Sequence, residues 1–419
     1  MLFRARWVFW IALPAIASGQ DPSVWSESQV VERFLTASPQ ARELRSRIAL
    51  TEAETRTRTV YPNPSVSYSR EGAGYNEFFE AAQTLPLNGR LRFLREAGGA
   101  AVSAADANRE ALLWSSRIDL RQAFFRMLAA QERTNLLSAG ANEISELAGV
   151  LRRREEEGEG SKYDRLRAER EITEVRTDVA GANALVAAAR AAIIGFLPDG
   201  TNIPSVSGTL AVSMNLSGME ELLARARASR AEFRAEQQAL ERYKFEEQAA
   251  RRLRVPDPQV SAGIKRADVV SGAAPNPFSN VTGNGLVFSV SVPLPAFNNG
   301  KYEVARYQAE QEAAMARAAV LARRIQSEIQ GARDVLVLRR DALDTYQREL
   351  ESAGMELTRI TRVAYEEGEV GILELLDSMR VRRLANLRLL ELQAGVREAL
   401  LELERAVGAE LTNDGGGRP

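Results

Sequence analysis

The chain has no cysteine and no histidine. Those two absences remove disulfides, thiolate nucleophiles, the usual zinc sites and any serine–histidine triad, because each needs atoms that are missing. A carboxylate-only metal or glycosidase site is left open. Lysine is scarce, with four residues, and arginine carries the remaining positive charge. The net charge of -1 gives no global basic field, so nucleic acid is not an expected partner. Proline is absent from two long stretches, 90–157 and 301–366. Beyond the N-terminus no run approaches ~18 consecutive apolar residues, so no permanent membrane helix is expected.

The N-terminus carries an export signal. Arg4 and Arg6 form its positive region, Trp7 to Ile16 its apolar stretch, and Ala15-Ile16-Ala17 a small-x-small cleavage site, with Ala17-Ser18-Gly19 as the alternative. Without cysteine, lipidation at an N-terminal Cys is excluded.

What is present is said twice. Glu157-Gly158-Glu159 is followed by Ser161, Asp164, Leu166 and Arg170; Glu367-Gly368-Glu369 is followed by Gly371, Glu374, Leu376 and Arg380. Every such pair is 210 positions apart. Pro62-Asn63-Pro64-Ser65-Val66-Ser67 answers Pro256-Asp257-Pro258-Gln259-Val260-Ser261, and Pro86-Leu87-Asn88-Gly89 answers Pro293-Leu294 with Asn299-Gly300. Three motifs repeated in one order mean one duplicated structural unit.

Periodicity divides each unit alike. Residues 1–17 are the signal and 18–64 N-terminal helices, broken near Ser38-Pro39 and ended by Pro62 and Pro64. Residues 65–88 read as a β-hairpin: Val66 and Tyr68 alternate with serines, Gly72-Ala73-Gly74 turns, and Phe79, Ala81, Gln83, Leu85 and Leu87 share a face. A long helical hairpin spans 89–195, with Ser161 capping its second helix in a capping-box-like pattern with Asp164. A connector covers 196–217. The second unit repeats the plan: helix 218–258, hairpin 259–299, helical hairpin 300–411, and a disordered tail 412–419. Asn276-Pro277 and Thr282-Gly283-Asn284-Gly285 supply the second hairpin's loop. Leu286, Phe288, Val290 and Val292 alternate with Val287, Ser289 and Ser291.

Gly89 to Gly158 covers 69 positions and Gly300 to Gly368 covers 68. At 1.5 Å per residue each helix runs about 100 Å, the length of a coiled coil or helical tube. Ala97, Ala100, Ala101, Ala104, Ala105 and Ala111 suit close helix approach, although alanine is also simply the best helix former. Two hairpins give four strands, too few to close a barrel, whereas three copies give twelve. In lipid only a closed barrel satisfies strand N–H and C=O groups. Leu286, Phe288, Val290 and Val292 would then face lipid, with Ser289 and Ser291 in the lumen.

On these features the chain resembles the TolC-like outer-membrane factor family. The Pro-x-Pro before each hairpin, the Leu-Pro-Leu and Val-Pro-Leu-Pro strand ends, and Tyr365-x-x-Gly368 carry the resemblance over essentially the whole mature chain. The Pro-Asn-Pro and Leu-Pro-Leu-Asn-Gly-Arg wording leans towards the heavy-metal efflux branch. The resemblance implies a mainly α fold with a small β portion: duplicated long-helix hairpins forming a trimeric α-helical barrel topped by a 12-stranded transmembrane β-barrel. It implies a homotrimer in the bacterial outer membrane, extending into the periplasm. Its partners would be outer-membrane lipid, a periplasmic adaptor and an inner-membrane efflux pump. No catalysis, cofactor or resident metal is expected. The family's pore gate maps to Glu374 and Asp377, with Tyr365 tethering the closed tip; Val370 stands where the best-known member has a basic residue, so the latch is incomplete. Gly158, Glu159, Ser161, Gly368, Glu369 and Gly371 would form the tip turns and the adaptor contact, with Glu157 and Glu367 beside them. The alternative is a secreted coiled-coil scaffold without a pore.

Overall fold

The computed structural model describes residues 23–71, 76–213, 216–270 and 280–411. The export signal, the Gly72-Ala73-Gly74 turn, Asn276-Pro277 and the 412–419 tail lie outside the described residues.

The duplication is complete at the level of elements. Short helices α1 (Glu27–Ala37) and α2 (Pro39–Thr59) match α5 (Met219–Ser229) and α6 (Ala231–Arg251). Strands β2 (Ser65–Glu71) and β3 (Asn76–Thr84) match β5 (Gln259–Val270) and β6 (Asn280–Ser291). Long helices α3 (Arg90–Glu156) and α7 (Lys301–Glu366) are followed by α4 (Lys162–Ile194) and α8 (Ile372–Val407). Two short strands, β1 (Val24–Ser26) and β4 (Ser205–Ser207), complete the order.

Three local expectations are corrected by the fold. The helix expected over 218–258 is broken at Arg230, which takes extended φ/ψ between α5 and α6. No proline marks that break, unlike its counterpart at Ser38-Pro39. The connector holds β4, which pairs in parallel with β1; the chain before α1 is therefore strand rather than helix. Thr282-Gly283-Asn284-Gly285 is not loop but the start of β6, paired from Asp268 to Lys265.

In the upper half α3 packs on α2 and α6, and α6 on α7. In the lower half α3 packs on α4 and α8, and α8 on α7. Helix approach is close where residues are small. Ala97 and Ala100 are buried, and a Cβ on Gly98 would stand 2.0 Å from Thr55 Cγ2. At mid-height β1, β4 and α1 cover a core of Trp25, Phe34, Ile118, Phe124, Ile193 and Ile203.

The sheet order is β2-β3-β5-β6, antiparallel throughout, so both halves contribute to one sheet with β2 and β6 as open edges. Beneath it the repeated motifs meet. Asn88 of the first half donates its backbone N–H to Asp257 Oδ1 (3.2 Å) and its side-chain amide to Asp257 Oδ2 (3.1 Å) and the Val255 carbonyl (3.2 Å). Arg58 of α2 makes a two-pronged pair with Glu246 of α6 at 2.6 and 2.8 Å, and Glu246 is 2% exposed. Burial alone would raise the Glu246 carboxyl, but the Arg58 hydrogen bonds and charge hold it below the usual carboxylate range.

Gly89 and Gly300 both start long helices at positive φ, 74° and 78°. A Cβ on Gly89 meets nothing within 4 Å, whereas one on Gly300 would stand 2.4 Å from the Ala250 carbonyl. Gly89→Ala should cost only the left-handed strain, about 1–2 kcal/mol; Gly300→Ala should cost clearly more, read as the drop in thermal unfolding midpoint. Because the folded Glu246 carboxyl is depressed, its contribution is present above the unfolded value near ~4.3 and lost as pH falls through the folded one. Arg58→Ala should destabilise the protein at neutral pH by about 2–3 kcal/mol and flatten the acid limb of its stability curve.

Candidate functional site: the helical tips and the exposed sheet

Both tips are built by the same backbone device. Glu157 and Glu367 share φ -81° and ψ -6°, and the next residues, Gly158 and Gly368, both take φ 78°. Gly158 N–H donates to Glu155 O (3.1 Å) and Glu159 N–H to Arg154 O (2.8 Å). Gly368 N–H donates to Tyr365 O (3.1 Å) and Glu369 N–H to Ala364 O (2.8 Å). These are Schellman turns, which close a helix on a left-handed residue that glycine adopts without Cβ strain. Ser161 Oγ accepts from Tyr163 N (3.1 Å) and so caps α4. The reciprocal half of a capping box is not formed, which corrects the expectation for Asp164. Gly371 takes the same place before α8 without a side-chain cap.

Glu374 occupies the third position of α8, and a Cβ on Gly371 would stand 3.0 Å from its Oε2. The carboxylate thus lies at the positive end of the helix, where negative charge is favoured. Asp377 sits one turn further on the same exposed face. The first unit carries Asp164 and Arg167 at the matching positions, so the paired acids belong to the second tip alone.

Tyr365 is half-buried against the core that joins the two helical hairpins. That core sets Ile144, Leu151, Ile172 and Val175 against Ile372, Leu375 and Met379. Burial pushes the Tyr365 hydroxyl up, the Asp164 charge adds to this, and the Arg154 charge opposes it. Tyr365 of the second hairpin therefore lies within the electrostatic reach of Arg154 and Asp164 of the first. Sequence reasoning missed the ion pairs around this core. Glu143 of α3 receives Arg362 (2.6 Å) and Arg382, and buried Glu171 of α4 receives Arg383 (3.1 Å), with Arg380 at 3.8 Å. Their partners lie over 200 positions apart, and no local pattern announces them.

About 100 Å away, at the far end of α7, the sheet presents two unlike faces. Leu286, Phe288 and Val290 are 75%, 74% and 69% exposed. Across the strands Leu286 aligns with Ile264, Phe79 and Tyr68, and Phe288 with Ala262, Ala81 and Val66. Val292, also exposed, lies just past the end of β6. The opposite face carries Ser65, Ser67, Ser69, Ser261, Ser289 and Ser291, with Ser261 and Ser289 hydroxyls 2.8 Å apart. One helix among the described residues, α4, is long and apolar enough to cross a membrane by length and composition, with 11% of its most apolar window buried. It holds no long unbroken apolar run, because its character comes from alanine interrupted by single polar residues. Among the described residues no group of acids is placed to hold a metal ion.

No family model matches the chain. The cobalt-zinc-cadmium resistance protein CzcC of Cupriavidus metallidurans is 26% identical over 364 residues, spanning 83% of this chain and 82% of its own. The transmembrane channel protein CusC superposes with a TM-score of 0.71 at 18% identity, covering 91% of this chain and 92% of that one. The MtrE outer membrane channel of Neisseria gonorrhoeae, in its open state, gives 0.70 at 21% identity over 93% and 91%. Duplicated units, matched Schellman tips, a two-faced sheet with open edges and end-to-end likeness to these proteins converge: the chain has the fold of these outer-membrane channels.

Proposed function

We propose that this chain is the outer-membrane exit duct of a tripartite efflux system. Three copies form a tube that passively conducts cargo from an inner-membrane pump and its adaptor to the exterior. The pump supplies the energy. The observation that carries this reading is the incomplete repeat. Within the chain β3 pairs with β5, joining the first hairpin to the second. The repeat counterpart of that pairing is β6 with the β2 of another copy. The α3–α6 contact likewise has as its counterpart α7 with a second copy's α2. Asn88 bonded to Asp257 has as its counterpart Asn299 of one copy with Asn63 of the next. A head-to-tail contact of this kind closes into a ring. Three copies bring twelve strands, an even number as bacterial barrels use.

The apolar sheet face, with Leu286, Phe288, Val290 and Val292, then meets lipid, and the serine face lines the lumen. Glu374, Asp377 and Tyr365 form the gate at the periplasmic end. Exposed Glu159, Ser161, Glu369 and Gly371, on turns made by Gly158 and Gly368, contact the adaptor. The resistance spectrum in the name of CzcC favours divalent metal cations as cargo over other small toxic compounds. A pore-free secreted scaffold is disfavoured, because it would leave an apolar sheet face and two strand edges uncovered in water.

Planar-bilayer recording tests the gate. Discrete cation-selective steps are expected, and Glu374→Gln with Asp377→Asn should reduce the selectivity; steps that ignore this change would move the gate elsewhere. Leu286→Asp should abolish detergent-dependent trimers on native gels. An unaltered, water-soluble Leu286→Asp protein would favour the scaffold.

A further inference from the structure

The apolar face of the sheet is charged at one end only. Across the strands its rows run in register. The row nearest the helices is Gln83–Val260–Val290. The Phe288 and Leu286 rows follow. The last row, furthest from the helices, is Arg70–Glu77–Arg266–Asn284. The first three rows hold no charged residue, whereas the last holds two arginines and a glutamate. Six positions of β6 separate Val290 from Asn284, so the uncharged band measures about 20 Å along the strands.

Arg70 and Arg266 are exposed. Glu77 stands between them in the register and accepts a hydrogen bond from Tyr68 Oη (3.1 Å). One row towards the helices, the Tyr68 and Phe79 rings lie with centroids 4.7 Å apart. Net charge does not choose a partner for this row, because Glu77 and, two positions further along β5, Asp268 offset the arginines. Shape does. A guanidinium presents a planar fork that matches phosphate oxygens two at a time, and its stem covers apolar surface while its head stays in the wet layer. Lys265, the neighbouring cation, belongs to the opposite face, where it lies 5.0 Å from the centre of the Phe78 ring.

The other end of the band closes on Gln83 and on exposed Val292 and Leu294, all uncharged. One arginine end and one uncharged end fit a bilayer whose leaflets differ, with a phosphorylated glycolipid in the leaflet away from the helical tips. We propose that the Arg70–Glu77–Arg266 row is the docking surface for that glycolipid. The two guanidiniums hold its phosphates, and its acyl chains lie on Tyr68, Phe79 and Leu286. This rests on the reading that three copies close a lipid-facing barrel with the tips in the periplasm, which turns the row towards the exterior and repeats it in each copy.

Three lipids are titrated into the detergent-purified trimer: lipid A with its phosphates intact, the same lipid A after enzymatic dephosphorylation, and phosphatidylglycerol. Bound lipid is counted by native mass spectrometry. Intact lipid A should bind tightest to the unaltered protein. Arg70→Gln with Arg266→Gln should weaken its binding by about tenfold or more. Lys265→Gln, which removes a cation one position away on the opposite face, should leave it unchanged. If the glutamine pair does not trimerise, Arg70→Lys with Arg266→Lys keeps the charge, loses the fork and should weaken binding several-fold. Dephosphorylated lipid A or phosphatidylglycerol binding as tightly as intact lipid A would overturn the proposal. So would arginine variants that bind as the unaltered protein does, a Lys265→Gln loss equal to theirs, or a trimer that takes up no lipid A. A protein that stays monomeric and carries no lipid of any kind would instead sink the barrel reading itself.

Discussion

A strand edge cannot stay unpaired in hydrocarbon, and most of this architecture answers to that constraint. The chain builds a four-stranded sheet whose outward face is apolar and whose two edges, β2 and β6, are open. Such a sheet is stable neither in water, where its face is exposed, nor alone in lipid, where its edges are. Duplication bears on the edges. The first half's edge is already shaped to receive a strand of the second half's kind, because β3 accepts β5 within the same chain. In the proposed tube, the type of contact seen once inside the chain is used again between chains and covers every edge.

The helices inherit the same logic over a longer distance. Each long helix must carry its tip to the same height as the other, so α3 and α7 have 67 and 66 residues. Each begins at a left-handed glycine beneath the sheet and ends at a left-handed glycine at the tip. Those four turns set where the tube starts and stops. Between them the two halves have diverged in chemistry while keeping their geometry. The second tip carries paired acids where the first carries Asp164 and Arg167, and α8 carries carboxylates where α4 carries glycine, alanine and isoleucine. Shared backbone with unlike side chains gives the two copies of one unit the same geometry and different surfaces.

Much of this was legible in the sequence for identifiable reasons. Positive φ selects glycine, so Gly158 and Gly368 marked the tips. Helices without proline run on, so two proline-free stretches of matched length announced the long helices. Alternation of Leu286, Phe288 and Val290 with serines assigned the two sheet faces, because side chains alternate along a strand. Legibility failed where the local signal was absent or misleading. Arg230 breaks a helix without proline or glycine, through its guanidinium hydrogen-bonded to the Arg405 and Ala406 carbonyls at the end of α8. Thr282-Gly283-Asn284-Gly285 reads as turn, yet the register with β5 draws it into the strand.

By itself the sequence determined the duplicated plan, the lengths of the long helices, the glycine turns and the two faces of the sheet. These depend on residues near one another along the chain, where backbone preference and periodicity act directly. Only the tertiary structure decided that β3 pairs with β5, that Asn88 meets Asp257, that Tyr365 packs on the core between the two hairpins, and that arginines of α3 find carboxylates of α8. Those partners are separated by about 170 to 280 positions, far beyond the few residues over which backbone preference acts. Nothing in the local sequence favours one charged partner over another until the register of packed helices brings two side chains within hydrogen-bond distance.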